Sequence, residues 1–407
     1  MGMLDGLTAV VTGGGGDIGR ACVGRCLCEG AALVVSVDRV AIDSGKLAAE
    51  IAEYMDGLQP QHAFIALVRE RQAALAPQAA QRGKATNDRQ ALASQYQAIL
   101  ALIDERCASA QMDLRSEVGV QQSIVQALEG KVGAASRRIH VLITCAGGAV
   151  DRTQCDPADT LPDVVSFTDH FTLNTATAIN AVRACMPMLL RGAQSNHADA
   201  SNTGDGAVAP ADQVDLESIR PEQPPAFPSS CADKPVASVV FVSSVNAVSG
   251  IGQVAYSAAK AALQPIAADL SVRFGRYGLR ANAIALGTVA TMGAWKERVA
   301  HDPEVFRKIG RRIPRARVAS AWEAAGSIVS LASPASALIT GQCIVADGGW
   351  SLACGTCVVT NYKKQKHGEG DGTTAADDDD DDDGGGDGGE PRPKTSKQST
   401  SKPWYEL

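Results

Sequence analysis

The sequence predicts an α/β chain built on a doubly wound parallel sheet, and three observations carry that reading. Short apolar, β-branched runs alternate with helical patterns along most of the chain. A glycine-rich turn, residues 12–19, lies between the first run and the first helical pattern. A second run then ends in an acidic residue, Asp38, at the distance from the turn that nucleotide-binding crossovers use. Strands joined by helical crossovers are covered on both faces, so they read as near-continuous apolar runs and not as alternating ones.

The runs fall at residues 9–12, 32–37, 139–144, 239–243, 280–285 and 344–346, and one more strand is expected to end near Asp113. The first helix is expected to run to about Glu29, with Gly30 placed to end it. Two stretches break the rhythm. Residues 58–106 are rich in Ala, Gln, Leu and Arg, with apolar residues at helical spacing over 91–103, which predicts one or two added helices. Residues 194–235 have no period and contain Pro210, Pro221, Pro224, Pro225, Pro228 and Pro235, which predicts a long loop. Both are helix-to-strand connections and should emerge opposite the carboxyl ends of the strands. From residue 356 onward the chain is polar, with an acidic run from Asp377 to Asp383, a composition too polar to bury a core. The expectation is one Rossmann-like domain over residues 1–355 with two insertions, followed by a disordered acidic tail over 356–407.

The composition, 45% hydrophobic and 20% charged, is that of a globular chain. The tail holds −5 of the net charge of −7, so the rest is close to neutral and does not read as a binder of nucleic acid. The eleven cysteines are odd in number and scattered, and no leader precedes the first apolar run, which predicts a reducing, cytoplasmic location. No apolar stretch is long enough for a membrane span. The six histidines form no pair at metal-binding spacing, so no metal site is expected. Cys22 and Cys26 read as small buried apolar residues, and the Cys354 to Cys357 spacing lies at the start of the tail, away from any strand-to-helix turn.

Thr12-Gly13-Gly14-Gly15-Gly16-Asp17-Ile18-Gly19 follows a strand and opens a helix. Glycines let the backbone approach a pyrophosphate, and the unpaired N–H groups of the helix start attract its charge. Asp38 is placed to bond the adenosine ribose hydroxyls of NAD and to repel the 2′-phosphate of NADP. Arg39 beside it could instead meet that phosphate, but the turn itself holds no Lys or Arg to share the extra charge, so NAD is favoured with NADP possible. Further along, Tyr256 and Lys260 stand four residues apart and so share a helix face. A phenol is a poor base at neutral pH, and a neighbouring ammonium favours its phenolate. Pro265 lies within that helix and should kink it.

Together these landmarks resemble the short-chain dehydrogenase/reductase family, whose turn is Thr-Gly-x-x-x-Gly-x-Gly; here Asp17 stands where the middle glycine is usual. The resemblance covers about residues 4–352 and implies a set of site residues. Gly13, Asp17, Ile18, Gly19 and Asp38 would line the coenzyme, with Asp113 and Leu114 at the adenine. Cys145-Ala146-Gly147 matches the family's Asn-Ala-Gly at the end of the fourth strand, with cysteine for asparagine. Asn174, Ser244, Tyr256 and Lys260 would form the catalytic set. Ser243 is the alternative serine, because the serine-to-tyrosine spacing counted from Ser244 is one residue short of many relatives. Gly287, Val289 and Thr291 would seat the nicotinamide, with Leu286 in the place of a usual proline, and Asp347-Gly348-Gly349 matches the end of the last strand.

The implied activity is hydride transfer between NAD and an alcohol or carbonyl substrate, in a homo-oligomer such as a dimer or tetramer. Two alternatives stand beside it: an NADP(H)-dependent enzyme resembling 3-oxoacyl reductases, and a nucleotide-binding regulatory protein without turnover. The stretch from residue 292 to 317, which would set substrate choice, mixes Trp295 and Phe306 with many arginines and admits apolar or anionic substrates.

Overall fold

Alternate residues of each central strand enter opposite cores, which is why the strands read as unbroken apolar runs. Ala9 and Val11 face one core and Val10 the other; Val141 and Ile143 oppose Leu142, and Val240 and Val242 oppose Val239 and Phe241. The computed structural model describes residues 2–59, 62–79, 87–115, 119–132, 138–149, 162–193, 237–249 and 253–353. The loop expected over 194–235, the tail over 356–407 and the Cys354 to Cys357 pair lie outside the described residues.

The first half of the chain contributes β1 (Thr8–Thr12), α1 (Asp17–Cys28), β2 (Leu33–Asp38), α2 (Ser44–Asp56), α3 (Ala63–Ala79), α4 (Asn87–Arg106), β3 (Cys107–Gln111), α5 (Val120–Val132) and β4 (Val141–Thr144). The second contributes α6 (Val164–Phe171), α7 (Thr177–Ala193), β5 (Ala237–Ser244), α8 (Val254–Ala261), α9 (Leu263–Phe274), β6 (Leu279–Leu286), β7 (Val289–Ala290), α10 (Met292–His301), α11 (Val305–Gly310), β8 (Ala319–Ser320), α12 (Ala321–Ala332) and β9 (Cys343–Ala346). The main sheet has seven strands in the order β3-β2-β1-β4-β5-β6-β9, all parallel. β1 pairs with β2 on one side and β4 on the other, so the order reverses there and opens a crevice beyond the carboxyl ends of β1 and β4.

One core lies under α1, α2, α3, α4 and α12, the other under α5, α7 and α9. Residues 58–106 supply two helices, α3 and α4, and these are part of the fold: Phe64, Val68, Ala98, Ile99, Leu102 and Ile103 are buried in the same core as α1. The strand expected to end near Asp113 is β3, Cys-Ala-Ser-Ala-Gln, which has none of the β-branched signal of its neighbours and pairs with β2; β7 and β8 were not legible. β7 and β8 form a separate two-stranded pair that ties the segment after β6 to the start of α12. Pro265 splits the expected single helix into α8 and α9, which meet at Ala262. No helix among the described residues is long and apolar enough to cross a membrane.

Candidate active site

The turn after β1 is fixed by glycine at one position above all. Gly13 has φ +72°, and a Cβ there would fall 2.6 Å from the Ala146 nitrogen, so only glycine lets β1 turn against the end of β4. The Cys145 N–H donates to the Thr12 carbonyl at 3.1 Å and the Ala146 N–H to Thr12 Oγ1 at 3.3 Å, which joins the two strand ends. Gly16 is the N-cap residue of α1 and, having no side chain, offers no cap to the N–H groups of its first turn. Asp38, at the tip of β2, accepts from the Gly15 N–H at 3.0 Å and the Val40 N–H at 3.3 Å, so its carboxylate borders the same turn.

Asp17 departs from what a coenzyme turn requires. Its Oδ1 accepts from Arg20 at 3.0 Å, with Lys46 at 3.8 Å, and its Oδ2 accepts from the Gly293 N–H of α10 at 3.0 Å. Burial pushes this carboxyl up, but the Gly293 and Arg20 hydrogen bonds outweigh it and hold the group below its ordinary range. The remaining expected contacts are mixed. Asp113 is paired with Arg115 at 2.6 Å, Leu114 is buried with its carbonyl accepting from Asn180 at 2.9 Å, and Ile18 packs partly into the core. Cys145 lies 3.9 Å, sulfur to sulfur, from the buried Cys22, a contact that spacing along the chain does not reveal.

The other end of the crevice is built around Lys260. It is buried on α8 against the interior strand β5, its Nζ donates to the Val242 carbonyl at 2.9 Å, and it lies 6.0 Å from the centre of the Tyr256 ring. Burial pulls its pKa down to about 8. Gly147 has φ +146°, and a Cβ there would meet Asn174 Oδ1 at 2.6 Å and Lys260 Nζ at 3.2 Å, so the amide and the ammonium converge on this one residue. Asn174 sits in a π-turn over Thr172–Ala176 between α6 and α7. Its Oδ1 accepts from the Gly148 N–H, and its Nδ2 donates to the carbonyls of Gly148 and His170, at 2.9 to 3.0 Å.

The two candidate serines separate. Ser243 is buried and its hydroxyl donates to the Lys260 carbonyl at 2.9 Å, whereas Ser244 is half-buried at the strand end and accepts from the Asn246 N–H at 3.2 Å. Asn246 in turn reaches Gln253 Oε1 at 3.4 Å; Gln253 starts α8 at φ +57°, and no sequence signal marked either residue. Beyond β6, Gly287 lies against Asp347, where a Cβ would fall 2.7 Å from the Asp347 Cα. Val289 turns its side chain into the core, and Thr291 caps α10 with its side chain buried. On α10 and α11, Trp295 and Phe306 stand 5.5 Å apart with Arg298 over the indole at 5.4 Å.

A family profile described as Enoyl-(Acyl carrier protein) reductase matches residues 226–351, which span β5 to β9. The chain is 37% identical over 122 residues to an uncharacterized oxidoreductase of Schizosaccharomyces pombe, covering 30% of this chain and 46% of that one. It is 36% identical over 112 residues to an L-rhamnose 1-dehydrogenase (NAD(P)(+)) of Azotobacter vinelandii, covering 27% and 43%. The chain therefore spans less than half the length of these relatives. An oxidoreductase of the short-chain dehydrogenase/reductase family from Burkholderia thailandensis shares the fold with a TM-score of 0.53 and 22% identity, over 89% of this chain and 98% of that one.

Proposed function

We propose that this chain is a member of the short-chain dehydrogenase/reductase family and that it moves a hydride between a nicotinamide coenzyme and an alcohol or carbonyl carbon, a reading that the matched profile and the oxidoreductase relatives support. The observation that carries the reading is the Lys260 ammonium, which is buried and has no ion-pair partner among the described residues. An unpaired buried cation costs several kcal/mol, and folds retain such a group where it serves an anion that comes and goes. The Tyr256 phenolate, one helical turn away, is that anion.

Thr12, Gly13, Ile18, Gly19, Ala146 and Gly147 would hold the coenzyme along the crevice, with Asp38 and Asp113 toward the adenosine and Gly287, Val289 and Thr291 toward the nicotinamide. When bound, the coenzyme takes or gives the hydride. The chain's own part is the proton. Ser244, at the open end of β5, would hold the substrate oxygen, and Tyr256 would take its proton as the alcohol is oxidised or return it as the carbonyl is reduced. Lys260 would keep the phenol poised, and Asn174, pinned on three sides, would lead the proton on from the ammonium. Asp38 favours NAD over NADP because its carboxylate occupies the side of the turn where a 2′-phosphate would lie. The name of the Azotobacter relative, which gives either coenzyme, makes sugars reasonable members of a substrate panel.

The test is the absorbance of reduced coenzyme over a panel of alcohols, sugars and ketones with NAD and with NADP. Turnover is expected with at least one pair, and Tyr256→Phe should lower it by at least about 100-fold while coenzyme still binds. Turnover that survives this substitution would overturn the assignment.

A further inference from the structure

Among the described residues one pair of cysteine sulfurs is in contact. Cys22 lies on α1 and is fully buried, whereas Cys145 follows β4 and is partly exposed. Their sulfurs stand 3.9 Å apart although the residues are 123 positions apart in the chain. Both are free thiols, and a disulfide needs its sulfurs about 2.0 Å apart, so the gap to close is about 2 Å. Cys145 has room to close it: the paired register of β4 ends at Thr144, so the Cys145 side chain can turn without breaking the ladder. The two thiols also differ. Contact with Cys145, and then burial, push the Cys22 thiol well above its ordinary range, so it stays protonated, and the thiol that a small oxidant meets first is Cys145.

We propose that Cys145 and Cys22 form a peroxide-responsive thiol pair, in which Cys145 is oxidised first and Cys22 resolves it to a disulfide. In the first step the Cys145 sulfur attacks one oxygen of a hydroperoxide such as hydrogen peroxide. The O–O bond breaks, Cys145 becomes a sulfenic acid, and the other oxygen leaves as water with the thiol proton. In the second step the Cys22 sulfur attacks the Cys145 sulfur, the S–O bond breaks, and the departing hydroxyl leaves as water with the Cys22 proton. The two thiols lose two electrons in all, and one peroxide gains them. The second step joins sulfurs already in contact, and that proximity offsets the low nucleophilicity of a protonated, buried thiol. A dithiol reductant reverses the bond by exchange. Cys145 is two residues from Gly147, against which Asn174 Oδ1 and Lys260 Nζ converge, so a bond that draws Cys145 toward α1 shifts the strip those groups rest on. Oxidation is thereby expected to lower turnover. That consequence rests on the hydride-transfer reading above, and the disulfide itself does not.

The test is peptide mapping of the full chain after hydrogen peroxide, with free thiols blocked before digestion with trypsin. Cleavage after Arg20, Arg25, Arg138 and Arg152 yields two peptides with one cysteine each, 21–25 with Cys22 and 139–152 with Cys145, whereas Cys26 and Cys28 fall in 26–39. A linked species of 21–25 with 139–152 is expected to take up most of Cys145 and to vanish after dithiothreitol. Recovery of Cys145 unlinked, or linked to 26–39 in place of 21–25, overturns the pairing. In Cys22→Ala the sulfenic acid has no resolving thiol, so dimedone should trap several-fold more Cys145 than in the parent; equal trapping in the two overturns the role of Cys22. Turnover of the linked parent should fall by about tenfold or more and return with the reductant. Undiminished turnover of the linked chain overturns the effect on catalysis. A chain without turnover before oxidation overturns the hydride reading and not the linkage, which the peptide map reads by itself.

Discussion

The Nζ of Lys260 donates to the carbonyl oxygen of Val242 at 2.9 Å, tying helix α8 to strand β5 through an ammonium group. Its direct neighbour in the chain of contacts is Ser243, whose hydroxyl donates to the Lys260 carbonyl at 2.9 Å. Two bonds in opposite senses thus fix the register of α8 on the sheet, and they leave Ser244, not Ser243, at the open strand end.

The ammonium carries a pH signature. Burial lowers its pKa from 10.5 to about 8. In the unfolded chain the proton is held up to the ordinary lysine range, while the folded chain releases it near 8, so between those values the unfolded state binds more protons and stability rises with pH. Denaturant melts from pH 7 to 10.5 should show this rise, with a slope of up to about 1.4 kcal/mol per pH unit from this residue. Lys260→Met should flatten it and abolish turnover. A variant with the same pH slope as the parent would show that the ammonium is not desolvated.

The serine pair makes a second, opposed prediction. Ser244→Ala should lower turnover by about 100-fold with stability almost unchanged, since its loss removes a donor to the substrate oxygen from a half-buried position. Ser243→Ala should do the reverse, costing about 1 kcal/mol of stability through the Lys260 carbonyl with turnover kept within a few-fold. Steady-state kinetics together with urea melts check both. Equal kinetic losses at the two positions would contradict the division of roles.

On the proposed reading, coenzyme choice rests on Asp38. Replacing it with Ala removes a carboxylate that faces the Gly15 N–H at 3.0 Å, and would remove both a ribose bond and a repulsion toward a 2′-phosphate. The ratio of kcat/KM with NAD to that with NADP should fall by about tenfold or more. An unchanged ratio would remove Asp38 from coenzyme selection.

The sequence by itself determined the parts whose signal is local. Buried parallel strands need unbroken apolar runs, so β1, β2, β4, β5, β6 and β9 were legible within a few residues. Gly13 before a helix, an acid at the end of β2, and Tyr256 and Lys260 one turn apart are likewise short-range patterns, and they lie where the crevice opens. Only the tertiary structure decided what depends on distant partners. β3 lacks β-branched residues and its bounds are fixed by pairing with β2, and α3 and α4 belong to the core because α4 packs on α2 and β3 while α3 packs on α4. Ser243 and Ser244 are adjacent and chemically identical, and the strand pleat, which turns successive side chains to opposite faces, gives Ser243 to the Lys260 carbonyl and Ser244 to the Asn246 N–H. The contact between Asp17 and Gly293 spans 276 positions and is made by a main-chain N–H that every residue except proline possesses, so it has no signature in the sequence. What the sequence marks is residue type at short spacing; the fold alone settles which of those groups meet.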